Sequence, residues 1–204
     1  MGLLNIFRRP PPIRQVGDLA QFIDEQAAFL VQKGIYEYSR ARAGHYAKVL
    51  LAEQGFQAAV DESRWRAYPL GLAMVAEVVE GVLLPHARTT RAEQLDALSD
   101  VVLAIFDRYP VPAMLDPETW AGLRDDLVRR LQHIGLHPPK RAFEVPATLA
   151  EPYFSLMPIH AKLRQADAPT IHNYLKVTLC NIHDTLTKRM DAPALIDALT
   201  GNRE

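Results

Sequence analysis

Three charged residues lie where the sequence is otherwise apolar, and they are the strongest candidates for a binding site. Arg42 falls in the middle of a predicted helix face made of Ile35, Ser39, Tyr46, Val49 and Leu50. Glu77 and Glu80 are the only ionisable residues in the most apolar stretch of the chain, residues 70–84. An unpaired charge is costly to bury in a protein core. We therefore predict that Arg42 is buried and forms an ion pair with Glu77 or Glu80.

This predicted ion pair has more than one interpretation. A network whose polar atoms are all satisfied inside the protein would be structural. A network with free polar atoms facing a cavity would make Arg42, His45, Glu77 and Glu80 the wall of a pocket for a small molecule. The other alternative is that the two glutamates, which share a helix face with the small residues Ala73 and Gly81, point to water.

Histidine and cysteine spacings offer two further hypotheses. His133 and His137 are four residues apart, as metal ligands on one helix can be, but Gly135 and Pro138 predict a helix end between them. A histidine at a helix C-terminus interacts favourably with the helix dipole, which is the simpler explanation. We expect no metal site and no cofactor.

Cys180 and His183 resemble a nucleophile beside a base, but on a helical wheel Cys180 points away from the histidine, which favours an inert cysteine.

The chain lacks the common catalytic and nucleotide-binding signatures. It contains no G-x-x-x-x-G-K-[ST], G-x-G-x-x-G, G-x-S-x-G or H-E-x-x-H motif, and no Glu-x-x-His of the di-iron bundles. Their absence favours a protein that binds over one that catalyses. The single cysteine excludes an intrachain disulfide, which is typical of a reducing compartment such as the cytoplasm.

Helical signals run through nearly the whole chain. A capping pattern at Asp18 predicts a first helix that ends at Gly34, and further helices are predicted after Thr90 and after Asp116. Pro69 is expected to break the chain and begin a new helix. No segment alternates apolar and polar residues as a strand would. We predict an all-α protein: a single-domain bundle of about seven to nine helices over residues 15–204.

Two segments differ from this helical pattern. Prolines recur between residues 137 and 169, so we expect short helices and irregular chain there, before a last long helix over about residues 170–190. Residues 1–14 form a separate N-terminal arm, in which an apolar cluster precedes two arginines and three prolines. This arm is either an unimportant tail or an element that docks on a protein partner or, weakly, on a membrane surface. The candidate docking residues are Leu3, Leu4, Ile6, Phe7, Arg8 and Arg9.

Composition narrows the choice of partner. The chain has 23 basic and 24 acidic residues, a net charge of −1, and no basic stripe, so we expect no nucleic acid partner. The apolar stretch 70–84 is shorter than the roughly 20 residues that span a membrane. Arginine outnumbers lysine 17 to 6, which indicates a GC-rich bacterial genome.

We predict a non-catalytic helical binding protein of a bacterial cytoplasm, an accessory, adaptor or assembly factor with a protein partner. The alternative is a small-molecule-binding or enzymatic bundle with a pocket around Arg42, Glu77 and Glu80.

Overall fold

The structure, a computed structural model, describes residues 11–201 and is built from α-helices. Helix accounts for 78% of it, and the described part of the chain contains no strand, which confirms the predicted all-α bundle. The helices are α1 (Val16–Ala43), α2 (Ala47–Leu50), α3 (Gln54–Leu83), α4 (Arg91–Asp107), α5 (Pro117–Ile134), α6 (Ala150–Ser155), α7 (Ala161–Arg164), α8 (Ala168–Arg189) and α9 (Ala192–Thr200). Single 3₁₀ turns cover Gly44–Tyr46, Leu84–His86 and Val145–Thr148.

Local capping explains where two of these helices begin. The Thr90 hydroxyl accepts from the Glu93 backbone amide, and the Glu93 carboxylate accepts from the Thr90 amide in return, so α4 begins with a complete capping box. The Asp116 carboxylate accepts a 2.7 Å hydrogen bond from the Thr119 amide at the start of α5. Both starts agree with the sequence prediction.

The prediction that the first helix ends at Gly34 is wrong. Helix α1 continues through Gly34 to Ala43, and the glycine serves close packing instead. A Cβ atom placed at Gly34 would lie 2.3 Å from the hydroxyl of Tyr153 and 2.7 Å from the ring of Tyr174. The chain finally turns at Gly44, whose φ of 54° is the conformation that glycine adopts most easily.

The prediction of a break at Pro69 is also wrong, because α3 is one helix of 30 residues with Pro69 inside it. Proline has no N–H to donate to the carbonyl four residues earlier, so the Trp65 carbonyl lacks its helical partner. Packing offsets this loss: α3 is the central helix of the bundle and contacts α1, α4, α5 and α8.

The central helix is apolar enough to resemble a membrane span. By length and composition, the helical segment Gln54–His86 could cross a bilayer, but 89% of its most apolar window is buried by the rest of the protein. That burial is typical of a core helix. Within residues 11–201 this is the one segment that meets the length and composition test.

The N-terminal and C-terminal segments of the described chain are joined through Ile13. Its side chain is completely buried, and its backbone pairs with the end of α8: the Ile13 amide donates to the Arg189 carbonyl, and the Asp191 amide donates to the Ile13 carbonyl. The packed domain therefore includes Ile13, two residues before the predicted start at residue 15.

Candidate functional site

Glu77 and Glu80 are buried on α3, with 5% and 1% of their surfaces exposed. Each forms an ion pair with a cation from a different part of the chain. Arg91, the first residue of α4, places its Nε 2.7 Å from Glu80 Oε1. Lys140, in the proline-rich segment, places its Nζ 2.8 Å from Glu77 Oε1.

The predicted pairing of these glutamates with Arg42 is wrong. Arg42 is exposed near the end of α1, and its Nε lies 3.2 Å from the Asp167 carboxylate, which also accepts a hydrogen bond from Tyr38. His45 is exposed in the turn after α1. The predicted apolar face required one continuous helix through residues 35–50, but the chain turns at Gly44. Arg42 and His45 therefore do not join the two glutamates.

Arg91 connects Glu80 to the end of α5. Besides its ion pair, the guanidinium donates to the Ile134 carbonyl at 3.1 Å and to the His137 carbonyl at 2.7 Å. These carbonyls belong to the last turn of α5 and to the chain just beyond it, where helix carbonyls lack intrahelical partners. One arginine thus neutralises a buried carboxylate and fixes the position of the segment that follows α5.

His137 and Lys140, on that segment, extend over Glu77. The His137 Nε2 is 3.6 Å from Glu77 Oε1, on the same side as the Lys140 ammonium. Although the Lys140 contact is an ion pair, it lacks the alignment of a hydrogen bond, and Glu77 Oε1 has no hydrogen-bond partner within residues 11–201. A buried carboxylate oxygen without a hydrogen bond is unusual in folded proteins.

These groups line one cavity of about 350 Å³, which we call the basic pocket. It lies between α3, the C-terminal half of α5, the segment after α5, and the turn before α6. Its basic and titratable residues are Arg129, Arg130, His133, His137 and Lys140, its acidic residues are Glu77 and Asp126, and its other lining residues are Ala73, Ile134, Thr148 and Leu149. The cavity thus holds three permanent cations and two carboxylates, and its two histidines add positive charge when they are protonated.

Arg130 differs from the other cations of the basic pocket because its guanidinium has no partner. Arg129 is bonded to Asp126, and Lys140 is paired with Glu77. Among the arginines of residues 11–201, Arg130 alone makes no ion pair, hydrogen bond or ring contact through its side chain. It is half-buried in the pocket wall. The guanidinium is therefore available to a ligand.

Sequence reasoning identified the glutamates and missed their cations. Glu77 and Glu80 were recognisable because they interrupt an apolar stretch. Arg91 and Lys140 carry no comparable local pattern, and nothing in the sequence connected either of them with the glutamates. The neighbouring His133 and His137 rings do meet, edge to face at 5.5 Å, but as part of the basic pocket.

The other pair that the sequence analysis considered, Cys180 and His183, lies on α8. Cys180 and His183 line the same surface pocket with Lys140, contrary to the helical-wheel argument, because residues three apart on a helix share a face. The His183 Nδ1 is 3.3 Å from the Asp184 carboxylate. Across residues 11–201, no group of three His, Cys, Asp or Glu side chains is placed to hold a metal ion.

The N-terminal docking residues Leu3, Leu4, Ile6, Phe7, Arg8 and Arg9 lie outside the described residues. Comparisons of the chain with models of protein families, with curated proteins and with solved structures found no match.

Proposed function

We propose that this chain is a non-catalytic binding protein whose basic pocket holds a small anion. The observation that carries this proposal is the unpartnered guanidinium of Arg130, in the wall of the cavity that Lys140 also lines. A cation in a concave site attracts an anion, and an arginine with free N–H groups can bind a carboxylate or phosphate through two parallel hydrogen bonds.

The pocket also limits the size and shape of the ligand. Its volume of about 350 Å³ is near the lower end of the range of about 300–1,000 Å³ for small-molecule sites. Ala73, Ile134 and Leu149 supply apolar wall beside the charged groups. The ligand class that fits is a phosphate or carboxylate carried on a short carbon skeleton.

The buried Glu77 is compatible with an anion-binding role. Its carboxylate forms an ion pair with the Lys140 ammonium and lies 3.6 Å from the His137 Nε2. It also holds both side chains at the base of the pocket, so that less conformational entropy is lost when the anion binds.

Titration calorimetry with inorganic phosphate and with succinate, in chloride buffers of equal ionic strength, tests the proposal. Wild-type protein should bind at least one of the two anions. Arg130→Gln should weaken that binding by about tenfold or more, since a hydrogen bond to a charged group is worth about 1.5–3 kcal/mol.

Arg141→Gln is the matched control. Arg141 is exposed, lies next to Lys140 in sequence and is not part of the basic pocket, so its removal changes the net charge equally. Its variant should bind as the wild type does. Absence of binding by the wild type, or equal loss in both variants, would rule out the proposed site.

A protein partner is the second candidate function, and exposed apolar side chains favour it. Tyr46 and Val49, at the corner between α1 and α3, are 77% and 63% exposed, and Tyr36 is exposed nearby. Replacing Tyr46 and Val49 with serine should abolish a cross-linked complex formed in extracts, whereas the control Leu163→Ser, at another exposed position, should not.

Deletion of residues 1–10 tests the N-terminal arm in the same assay and in flotation with anionic vesicles. A complex that survives every change would exclude both surfaces.

A further inference from the structure

A second cavity, separate from the basic pocket, is walled by aromatic rings. Its volume is about 190 Å³, and we call it the aromatic pocket after Trp65, Tyr68 and Tyr109. It lies between α1, the first half of α3 and the end of α4. The remaining lining residues are Ala28, Val31, Gln32 and Arg64.

The three rings stand at steep angles to one another. Trp65 and Tyr68 are 6.0 Å apart with an interplanar angle of 77°, and Trp65 and Tyr109 are 5.4 Å apart at 64°. Tyr68 and Tyr109 are 5.4 Å apart at 77°. The three rings therefore pack edge to face on one another, and all three residues belong to the wall of the same cavity.

Asp24 holds the two tyrosines in place through their hydroxyl groups. Its carboxylate accepts a hydrogen bond of 2.6 Å from the Tyr68 hydroxyl and bonds of 2.8 and 3.0 Å from the Tyr109 hydroxyl. Burial, together with these bonds, raises the pKa of both phenols, so each remains a neutral donor. Because the hydroxyls point to Asp24, the rings are held in place without a polar group from the ligand.

The fixed charges around the aromatic pocket nearly cancel. Arg108 places its guanidinium 3.1 Å from the Asp24 carboxylate, and Arg64 is paired with Asp61 at 3.0 Å. Neither arginine is left to repel a cation strongly. The aromatic rings therefore provide the main attraction available to a cation, since an aromatic face carries the negative part of the ring quadrupole.

We propose that the aromatic pocket binds the trimethylammonium group of a small quaternary amine. A trimethylammonium group is a cation without N–H donors, so it needs no acceptor, and it is attracted to an aromatic face that lies within about 6 Å of it. The cavity is smaller than the roughly 300 Å³ at which drug-sized sites begin, as suits a single headgroup. This site is independent of the anion proposed for the basic pocket.

Calorimetric titration of the wild-type chain with choline, compared with 3,3-dimethylbutan-1-ol, is the decisive experiment. The alcohol has the same shape as choline, with carbon in place of the charged nitrogen. Choline should bind about tenfold more tightly, because only the cation interacts with the ring quadrupoles. Equal or weaker binding of choline would overturn the proposal and leave the rings as packing alone.

Two substitutions locate the binding on Trp65. Trp65→Leu should reduce choline binding about tenfold, whereas Trp65→Phe, which retains an aromatic face, should keep most of it. Trp120→Leu is the control, because Trp120 packs 5.8 Å from Trp65 but is not part of the cavity wall. Retention of choline binding by Trp65→Leu would overturn the assignment. If that variant does not fold, the comparison of choline with its alcohol still decides.

A short peptide containing trimethyllysine distinguishes the two sources of this headgroup. We expect choline to bind at least as tightly as the peptide, because the cavity is small. Tighter binding of the peptide would place the group on a protein side chain and overturn the small-molecule assignment.

Discussion

Replacing Arg91 with methionine removes the only basic partner that Glu80 has in the described structure. The Glu80 side chain is 2% exposed, so water is a poor replacement for the guanidinium. The same substitution frees the carbonyls of Ile134 and His137, which accept from Arg91. We expect a large loss of stability and weaker anion binding, because His137 loses the bond that fixes it beside the basic pocket.

The magnitude follows from the burial of the pair. Removing one partner of a buried ion pair costs about 3–5 kcal/mol. Arg91 itself is 27% exposed, so the lower part of that range, about 3 kcal/mol, is the better expectation. Since a domain is stable by about 5–15 kcal/mol, the variant should still fold but should unfold at a clearly lower urea concentration.

Arg124→Met provides the comparison. Arg124 makes two bonds to Asp107, at 2.6 and 2.7 Å, but the side chains are 40% and 45% exposed. An exposed pair of this kind is worth about 0–1 kcal/mol. Adding Glu80→Leu to Arg91→Met should restore at least half of the lost stability, because no charge remains buried alone.

Urea unfolding followed by far-UV circular dichroism measures all three variants. The midpoint and slope give the free energy of unfolding for each. If Arg91→Met costs no more than Arg124→Met, the burial argument is refuted. A double variant less stable than Arg91→Met would refute the explanation by a stranded carboxylate.

Three other changes test the packing of the bundle. Gly34→Ala should cost about 1–3 kcal/mol despite the better helix propensity of alanine, because its Cβ would overlap Tyr153 and Tyr174; a higher melting temperature would contradict this. Burial raises the pKa of Tyr174 to about 12 from 10.0, so its contribution to stability is complete below pH 10 and is lost as the pH rises to about 12. Melting temperatures measured from pH 9 to 12 should fall less steeply in Tyr174→Phe than in the wild type. Ile13→Ala should cost about 2–5 kcal/mol in urea unfolding, since Ile13 is completely buried, and a loss below about 1 kcal/mol would show that the N-terminal pairing is dispensable.

Helix type and several helix ends could be predicted because they depend on neighbouring residues. Hydrogen bonds in a helix join residues four apart, and the capping groups of Thr90 and Asp116 reach only three residues along the chain. The apolar residues around Glu77 and Glu80 also made their burial one of two predicted alternatives, the other being that they point to water. The sequence alone also argued against a β-sheet fold, because no segment alternates apolar and polar residues.

The errors at Gly34 and Pro69 have a common physical cause. Each residue is a frequent helix boundary when judged by its own conformational preference. In the folded protein, Gly34 lies under the rings of two tyrosines more than a hundred residues away, and Pro69 lies in a helix surrounded by four others. The free energy gained by burying the apolar faces of these long helices is larger than the cost of placing one glycine or one proline inside a helix.

The partners of the buried charges were decided only by the tertiary structure. Because Glu77 and Glu80 are buried, they need cations, and the sequence did not distinguish Arg42 from Arg91 and Lys140. Glu80 and Arg91 are 11 residues apart, and Arg91 also reaches a carbonyl 46 residues away. Periodicity predicts which face of a helix is buried, whereas the cation that meets a buried carboxylate depends on how separate helices cross, and no local pattern in the chain records that crossing.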